Sequence, residues 1–179
     1  MLYTPEYKTM QEQYHVQVPH YGTSGHKWSD HIITLSKKMN TRSILDYGAG
    51  KCTLQKAIPF AITNYDPFIP ELSARPLPHD IVVCTDVLEH IEPSCIDDVL
   101  ADLYVLTKQL IFLEASTVPA SKFLQDGRNA HLIQENGNWW LDKIMSYFEI
   151  QSMTLTNNSV LIVAVPQTTK KIIEEVENV

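Results

Sequence analysis

The sequence predicts an α/β protein, a three-layer sandwich in which helices cover both faces of a mostly parallel sheet. Short apolar segments alternate with helical patterns as far as Leu113, which is typical of parallel strands joined by right-handed crossovers. Runs such as Ile81-Val82-Val83 are apolar without a break, as strands buried on both faces are. Only Thr156-Asn157-Asn158 separates the last two strands, which is too short for a crossover, so this pair must include an antiparallel strand.

The first half of the chain is predicted to hold two helices and three strands behind an irregular arm. Residues 1–24 are polar and aromatic, and we expect a loose arm or a short helix there. Apolar positions at helical spacing predict a helix over 27–39, and Pro59 ends a shorter helix over 53–57. Strands are predicted over 43–46, 61–65 and 80–84.

The second half begins with a predicted capping box, in which Ser94 and Asp97 start a helix that runs to Leu106. Of the adjacent Trp139 and Trp140, at most one is expected to face the core. The remaining elements are a strand over 109–113, a long loop over 115–137, a helix over 139–147 and strands over 148–155 and 159–165. The predicted organisation is one domain over 25–166, between an arm or lid over 1–24 and an exposed tail over 167–179.

Composition limits the classes of protein to consider. A chain of 179 residues with 44% apolar residues suits one domain with its own core. The 21 acidic and 14 basic residues give a net charge of −7, and no basic run occurs, so a nucleic-acid partner is disfavoured. Three cysteines without a C-x-x-C pattern suit reduced thiols. Neither a secretory leader nor a membrane-length apolar stretch is present, so we expect a cytoplasmic protein without a membrane partner.

The most informative segment is a strand that ends in the tight turn Gly48-Ala49-Gly50 before a helix. Glycine permits positive φ and close approach of a ligand, and such turns lie at the strand ends where open α/β sheets bind ligands. Asp66 ends the next strand, where a carboxylate can accept hydrogen bonds from both hydroxyls of a ribose. The turn alone is equally compatible with an ordinary strand-to-helix connection. Together with Asp66 and Asp86 it predicts an adenosine-like ligand.

Two classes of nucleotide ligand compete for this turn. The dinucleotide pattern G-x-G-x-x-G fails, because its third glycine would fall at Thr53. Asp46 lies beside the turn, two residues before Gly48, where its carboxylate would repel a pyrophosphate and favour a cationic ligand. S-adenosylmethionine carries a sulfonium and an ammonium group and has no phosphate.

Asp46-Tyr47-Gly48-Ala49-Gly50 resembles motif I of the class I S-adenosylmethionine-dependent methyltransferases, an acid followed by G-x-G-x-G. Asp66 matches the acid that ends the second strand in that family, and the segment 86–91 resembles its D-x-L-E-H stretch. The closing antiparallel strand pair is also a family feature. The resemblance covers about residues 20–165 and implies a Rossmann-like fold with S-adenosylmethionine as cofactor.

The sequence departs from the family pattern in two places. The third glycine of motif I falls at Cys52, which would tighten the turn around the ligand. Only 13 residues, Pro67 to His79, separate Asp66 from Asp80, where the family fits a helix and a third strand. We therefore expect this edge strand to be shortened or missing. The usual acid near the adenine amino group would be missing with it, and Phe68 would cover the adenine face instead.

The resemblance implies a role for each matching residue on the cofactor side. Asp66 would bind the ribose, and Asp46 would contact the methionine ammonium directly or through water. Gly48 and Gly50 would let the backbone approach the methionine portion of the cofactor.

The resemblance also implies an acceptor side, at the end of a central strand. Thr85 and Asp86 would border the methyl-donor centre, although Asp86 could instead cap a helix. The candidate catalytic bases are His26, Asp86, His90 and His131. His131 lies in the long loop, where the family often builds its acceptor pocket, and the alternative is that it packs under the following helix. Residues 21–24 would form a lid over the cofactor or remain a disordered arm.

We therefore expect a methyltransferase that acts on a small molecule such as a sugar, a nucleotide or another metabolite. The short chain leaves no separate substrate-recognition domain, and the sequence leaves the acceptor and the oligomeric state open. The alternatives are an enzyme that degrades S-adenosylmethionine and a non-catalytic module that binds it. No metal site is expected, although His20 and His26 lie on one loop.

Overall fold

The computed structural model describes residues 1–167 and contains an open six-stranded sheet in the order β2-β1-β3-β4-β6-β5. The strands are β1 (Ile44–Tyr47), β2 (Thr63–Tyr65), β3 (His79–Thr85), β4 (Thr107–Ser116), β5 (Phe148–Leu155) and β6 (Ser159–Pro166). The first four strands are parallel, and β6 runs antiparallel to both β4 and β5. The predicted mostly parallel sheet with a C-terminal antiparallel pair is confirmed.

The helices lie on the two faces of the sheet and bury separate cores. They are α1 (Pro5–Gln17), α2 (Ser29–Met39), α3 (Thr53–Ala57), α4 (Ile96–Leu106) and α5 (Gly137–Met145). On one face, Leu100 of α4 and Trp140 of α5 pack in a cluster that includes Val82. On the other face, Ile32 of α2 packs in a cluster that includes Val83. Neighbouring residues of β3 thus enter opposite cores, which explains its unbroken apolar run.

The edge strand expected to be shortened or missing is absent from the described residues. Between β2 and β3 the chain forms only a short 3₁₀ turn, Pro70–Leu72, so β2 lies at the edge of the sheet. Arg75 from this connection forms an ion pair with Asp102 of α4, and Asp102 also accepts a hydrogen bond of 3.0 Å from the Tyr47 hydroxyl. The connection is therefore held against the helix layer without a third strand.

The N-terminal segment contains the helix α1 and is fixed to the rest of the domain. Thr4 caps the helix, and its backbone N and its hydroxyl donate to the Glu92 carboxylate at 2.8 and 2.9 Å. The Tyr7 hydroxyl donates to the backbone carbonyl of His90 at 2.5 Å. The helix thereby lies over the carboxyl ends of the parallel strands, where the glycine turn is found.

Two local predictions of helix starts differ from the structure. The capping box at Ser94 is wrong, because α4 begins at Ile96 behind Cys95, which adopts a helical conformation and makes no side-chain cap. Ser94 therefore lies one residue too early to cap the helix. The last helix begins at Gly137, where Asn136 accepts hydrogen bonds from the first backbone N–H groups.

The paired tryptophans follow the prediction, and most of the tail cannot be compared with it. Trp140 is fully buried, whereas Trp139 is only partly buried against the same core. Of the predicted exposed tail over 167–179, residues 168–179 lie outside the described residues.

Cys52 occupies the left-handed region with φ +54° at the position where motif I has its third glycine. Replacement by a β-branched residue increases steric strain there, whereas glycine removes it. We expect Cys52→Val to lower the free energy of unfolding by about 1–2 kcal/mol and Cys52→Gly to change it by less than about 1 kcal/mol. Denaturant unfolding of the two variants measures this, and equal losses would contradict the assignment of strain.

Candidate functional site

A cavity of about 70 Å³ lies at the carboxyl ends of β1, β2 and β3, beneath α1. We call it the inner cavity, and its wall includes Tyr7, Gln11, Gly48, Gly50, Asp66 and Asp86. Small-molecule sites in open α/β sheets occur at this end of the strands. The structure thus brings the glycine turn, Asp66 and Asp86 together on the wall of one cavity.

The glycine turn is required by contacts within the chain as well as by any ligand. Gly48 and Gly50 have φ of +79° and +51°. A Cβ on Gly48 would lie 2.4 Å from Val87 Cγ2, and a Cβ on Gly50 would lie 2.5 Å from the Gly22 carbonyl oxygen. The carbonyl of Tyr65 accepts from the Gly48 N–H at 2.8 Å, which ties the turn to β2. Only glycine fits at both positions.

Asp66 is buried and holds the turn through backbone hydrogen bonds. Its Oδ2 accepts from the Gly50 N–H and its Oδ1 accepts from the Phe68 N–H, both at 3.0 Å. A carboxylate has about four acceptor positions, so each oxygen can accept one further hydrogen bond from a ligand in the inner cavity. The structural role and the predicted ribose contact are therefore compatible.

Two predicted cofactor residues, Asp46 and Thr85, are buried but line neither the inner cavity nor the second cavity described below. Burial, with a smaller contribution from the Asp66 charge, raises the pKa of Asp46 to about 7. A cationic ligand nearby would favour the ionised form. The predicted contact between Asp46 and an ammonium group stays a prediction. Because Asp46 lies behind the cavity wall, a water-mediated contact suits its position better than a direct one.

Phe68 lies on the wall of the inner cavity and belongs to an aromatic group with α1. Its ring centroid is 5.2 Å from that of Tyr3 and 5.9 Å from that of Tyr7, the latter pair edge to face. These contacts fix the ring at the side of the cavity next to Asp66. Its predicted position over an adenine stays a prediction.

The α1 helix contributes polar groups that the sequence did not reveal. Gln11 Oε1 and His15 Nδ1 are buried without a hydrogen-bond partner within residues 1–167, and both residues line the inner cavity. Gln11 Nε2 donates to the Tyr7 hydroxyl at 2.6 Å, which fixes the amide. Buried polar atoms normally have partners, so these two are available to a water or to a polar ligand in the cavity. The spacing of Tyr7, Gln11 and His15 could have predicted that these residues share one helix face, but that face is polar rather than apolar.

A second cavity opens beside the first and contains every candidate base. We call it the outer cavity, and its wall includes His20, His26, Asp86, His90, Lys122 and His131. Asp86 borders both cavities, and so do Tyr21 and Gly22 of the predicted lid. The arrangement suits a donor in one cavity and an acceptor in the other.

Asp86 has φ +59° and forms no helix cap, because the following 3₁₀ turn, Leu88–His90, has Val87 at its N-cap without a side-chain bond. The capping alternative is thereby excluded. Asp86 Oδ2 accepts from the Ser24 hydroxyl at 2.7 Å, and Oδ1 lies 3.8 Å from His90 Nε2. The contact with His90 lowers the pKa of Asp86. Burial opposes protonation of His90, but Asp86 and Glu89 outweigh it and raise the pKa of His90.

His131 lies at the outer cavity and is held at one nitrogen only. Its Nδ1 is 2.6 Å from the Val118 carbonyl oxygen, and its ring meets that of His90 edge to face at 4.9 Å. His26 is held similarly, with Nδ1 2.8 Å from the Thr23 carbonyl oxygen. The assignment of a base among these residues stays a prediction.

Comparisons with known proteins identify the fold. No family model and no curated protein sequence matches the chain. The 1,6-didemethyltoxoflavin-N1-methyltransferase of Burkholderia thailandensis superimposes with a TM-score of 0.64 at 15% identity over 94% of this chain and 92% of that one. The magnesium protoporphyrin IX methyltransferase of Synechocystis gives 0.57 at 15% identity over 89% and 97%. The N-methyltransferase NodS of Bradyrhizobium japonicum gives 0.59 at 9% identity over 90% and 98%.

The chain therefore has the Rossmann-like fold of the class I S-adenosylmethionine-dependent methyltransferases, as its motifs implied. The match extends over most of each compared chain. Among the described residues, no helix is long and apolar enough to cross a lipid bilayer.

The raised pKa of Asp46 predicts a pH dependence of stability. Between the ordinary pKa near 4 and the folded value of about 7, the folded chain binds more protons at Asp46 than the unfolded chain does. The contribution of Asp46 to stability is therefore full below about pH 4 and is lost as the pH rises to 7. We expect Asp46→Asn to be more stable than the wild type by roughly 1–4 kcal/mol at pH 8, and similar at pH 4. Denaturant unfolding at both pH values checks this, and parallel profiles would contradict it.

Proposed function

We propose that the chain is an S-adenosylmethionine-dependent methyltransferase that acts on a small-molecule acceptor. The observation that carries the proposal is the inner cavity, where the glycine turn, Asp66 and Asp86 meet under α1. The fold agrees with this assignment. The three structural neighbours are named as methyltransferases, one of them with S-adenosylmethionine bound and two with S-adenosylhomocysteine.

The residues of the inner cavity fit this cofactor. Asp66 would accept hydrogen bonds from the ribose hydroxyls, and Phe68 would lie against the adenine. The unpartnered atoms of Gln11 and His15 would contact polar groups of the cofactor. Asp46 and Asp66 supply the negative charge that suits a ligand with sulfonium and ammonium groups.

The outer cavity would hold the acceptor beside the donor carbon. S-adenosylmethionine supplies a methyl group already activated by a sulfonium, so the chain mainly aligns donor and acceptor and excludes water. We propose that Asp86, which borders both cavities, and His131, whose Nε2 is the nitrogen not held by Val118, contact the acceptor. The neighbours named for 1,6-didemethyltoxoflavin and for magnesium protoporphyrin IX support acceptors of small-molecule size.

The cofactor assignment predicts the effect of removing Asp66. We expect wild-type protein to bind S-adenosylmethionine in isothermal titration calorimetry and Asp66→Ala to bind about 5–150-fold more weakly, corresponding to a loss of roughly 1–3 kcal/mol. Asp80→Ala is the control, since Asp80 is at the start of β3, at the opposite end of the sheet, and accepts from Thr41 at 2.6 Å. Circular dichroism of each variant monitors folding. Unchanged affinity in a folded Asp66→Ala protein would contradict the assignment.

Two glutamines of α1 allow a test of whether this helix contacts the cofactor. Gln11 faces the inner cavity, whereas Gln13 on the same helix is exposed. We expect Gln11→Leu to weaken S-adenosylmethionine binding by about 3–30-fold, because a polar partner of the ligand is lost, and Gln13→Leu to leave it unchanged. Calorimetry under the same conditions compares them. Equal affinities would show that α1 makes no polar contact with the cofactor.

The product distinguishes the proposed reaction from its alternatives. Methyl transfer releases S-adenosylhomocysteine, whereas an enzyme that degrades S-adenosylmethionine without an acceptor releases methylthioadenosine. Incubation with a panel of small-molecule acceptors followed by mass spectrometry separates the two. Release of methylthioadenosine, or binding without any product across the panel, would favour the degrading enzyme or the non-catalytic module respectively.

A further inference from the structure

We propose that Asp86, Glu89, His90 and His131 form a binding site for a divalent first-row transition-metal cation beside the outer cavity. Each residue offers one ligand atom, and all four atoms lie within 4.8 Å of one another. In octahedral coordination with metal–ligand distances of about 2.1 Å, adjacent ligand atoms are ~3.0 Å apart and opposite ligand atoms are ~4.2 Å apart. Shifts of less than about 1 Å would therefore close the four atoms around one cation.

Both histidines are oriented as metal ligands commonly are. His90 Nδ1 lies 2.8 Å from the Ala130 carbonyl oxygen, and His131 Nδ1 lies 2.6 Å from the Val118 carbonyl oxygen. A carbonyl oxygen only accepts, so each Nδ1 carries the proton when the ring is neutral and each Nε2 keeps a lone pair. A hydrogen bond from the other ring nitrogen to a backbone carbonyl is the usual support of a metal-binding histidine.

In each carboxylate, one oxygen accepts a hydrogen bond from the chain and the other is available to a cation. Glu89 is fully buried, and its Oε1 accepts from the Ser116 N–H at 2.8 Å. Its Oε2 is buried without a hydrogen-bond partner among the residues described. Asp86 Oδ2 is held by Ser24, while Oδ1 lies 3.8 Å from His90 Nε2, too far for a hydrogen bond. That separation fits two ligands of a common cation.

The donor set selects the class of cation. Two imidazole nitrogens disfavour magnesium and calcium, which prefer oxygen ligands alone, and the cluster offers no thiolate for copper(I) or a sulfur-rich zinc site. Two carboxylates would balance a charge of +2. Manganese(II), iron(II), cobalt(II) and zinc fit these ligands, and manganese(II) is the probe used below.

The sequence did not predict this site because its ligands come from separate elements. Asp86, Glu89 and His90 lie on the turn after β3, and His131 lies in the long loop before α5. The histidines that share a loop, His20 and His26, are both exposed and do not belong to the cluster. Close approach of the turn and the loop, marked by the 3.0 Å hydrogen bond from the Ile133 N–H to the Glu89 carbonyl, creates the ligand set.

The cation would face the region assigned to the acceptor. Asp86, His90 and His131 line the outer cavity, so coordination positions not filled by the chain would be open to it. Such positions take water or an acceptor oxygen, and coordination lowers the pKa of a bound hydroxyl. This second role rests on the proposed function and favours an acceptor that is methylated at oxygen, with Asp86 and His131 as ligands rather than free bases.

The binding site is tested on the full chain without cofactor or acceptor. Chelator-treated protein is titrated with manganese(II), and the electron paramagnetic resonance signal of the free ion is followed. We expect one ion bound per chain, with at least ~10-fold weaker binding in His131→Asn and in Asp86→Asn. His20→Ala is the matched control, because His20 lines the same cavity outside the cluster, and we expect it to bind as the wild type does.

A cobalt(II) absorption spectrum provides a second readout, since it reports imidazole ligation and should change in His131→Asn. Circular dichroism shows which variants are folded, and two variants keep the test decisive if one fails to fold. No manganese(II) bound by the wild type would overturn the site, as would equal binding by folded cluster variants and His20→Ala. The contact between His90 and Asp86 would then be an ion pair without a cation. Calorimetry with S-adenosylmethionine on the same metal-free protein tests the proposed function separately.

Discussion

The shape of the inner cavity depends on the hydrogen bonds that the buried Asp66 carboxylate accepts from two backbone N–H groups, those of Gly50 and Phe68. They tie the tip of β2 to the turn after β1. With Gly50 held there, the bare backbone of Gly22 can pack against it, and the Lys51 N–H donates to the Gly22 carbonyl at 2.8 Å. That contact holds Gly22 of the arm at the turn, while separate hydrogen bonds of Thr4 and Tyr7 fix α1. The Asp66 carboxylate, in a site of low dielectric, thus stabilises the glycine turn on which Gly22 packs.

The electrostatics of the strand tips explain why cations suit this end of the sheet. Asp46 lies within β1, Asp66 and Asp86 follow the neighbouring strands β2 and β3, and the first two are buried. Desolvation and mutual repulsion raise the pKa of Asp46 to about 7, a cost that a positive ligand removes. The outer cavity shows a related balance, because the neighbouring acids outweigh burial and raise the pKa of His90. Binding of a positively charged group would therefore be electrostatically favourable in both cavities.

The sequence predicted the sheet well because short apolar runs bounded by turn residues favour strands that are buried on two faces. The short spacing between Asp66 and Asp80, compared with the family pattern, predicted that the edge strand is shortened or missing. Periodicity failed for α1, since the face that it buries carries Tyr7, Gln11 and His15, and apolar periodicity does not detect a polar face. The cofactor-side residues were placed by motif, but only the structure shows that Asp46 lies behind the cavity wall and that Glu89 and His131 meet.

The absence of the third strand also affects whether the edge of the sheet can pair with a strand of another chain. Strand β2, three residues long, is the exposed edge on that side, and so short an edge offers few free backbone groups for intermolecular pairing. At the opposite edge, β5 is eight residues long and mostly solvent-facing, but its register shifts between Ile150 and Ser152. A bulge of this kind interrupts the regular ladder that an aggregating strand would need. Truncation on one side and irregularity on the other would help to keep the sheet from extending into a fibril.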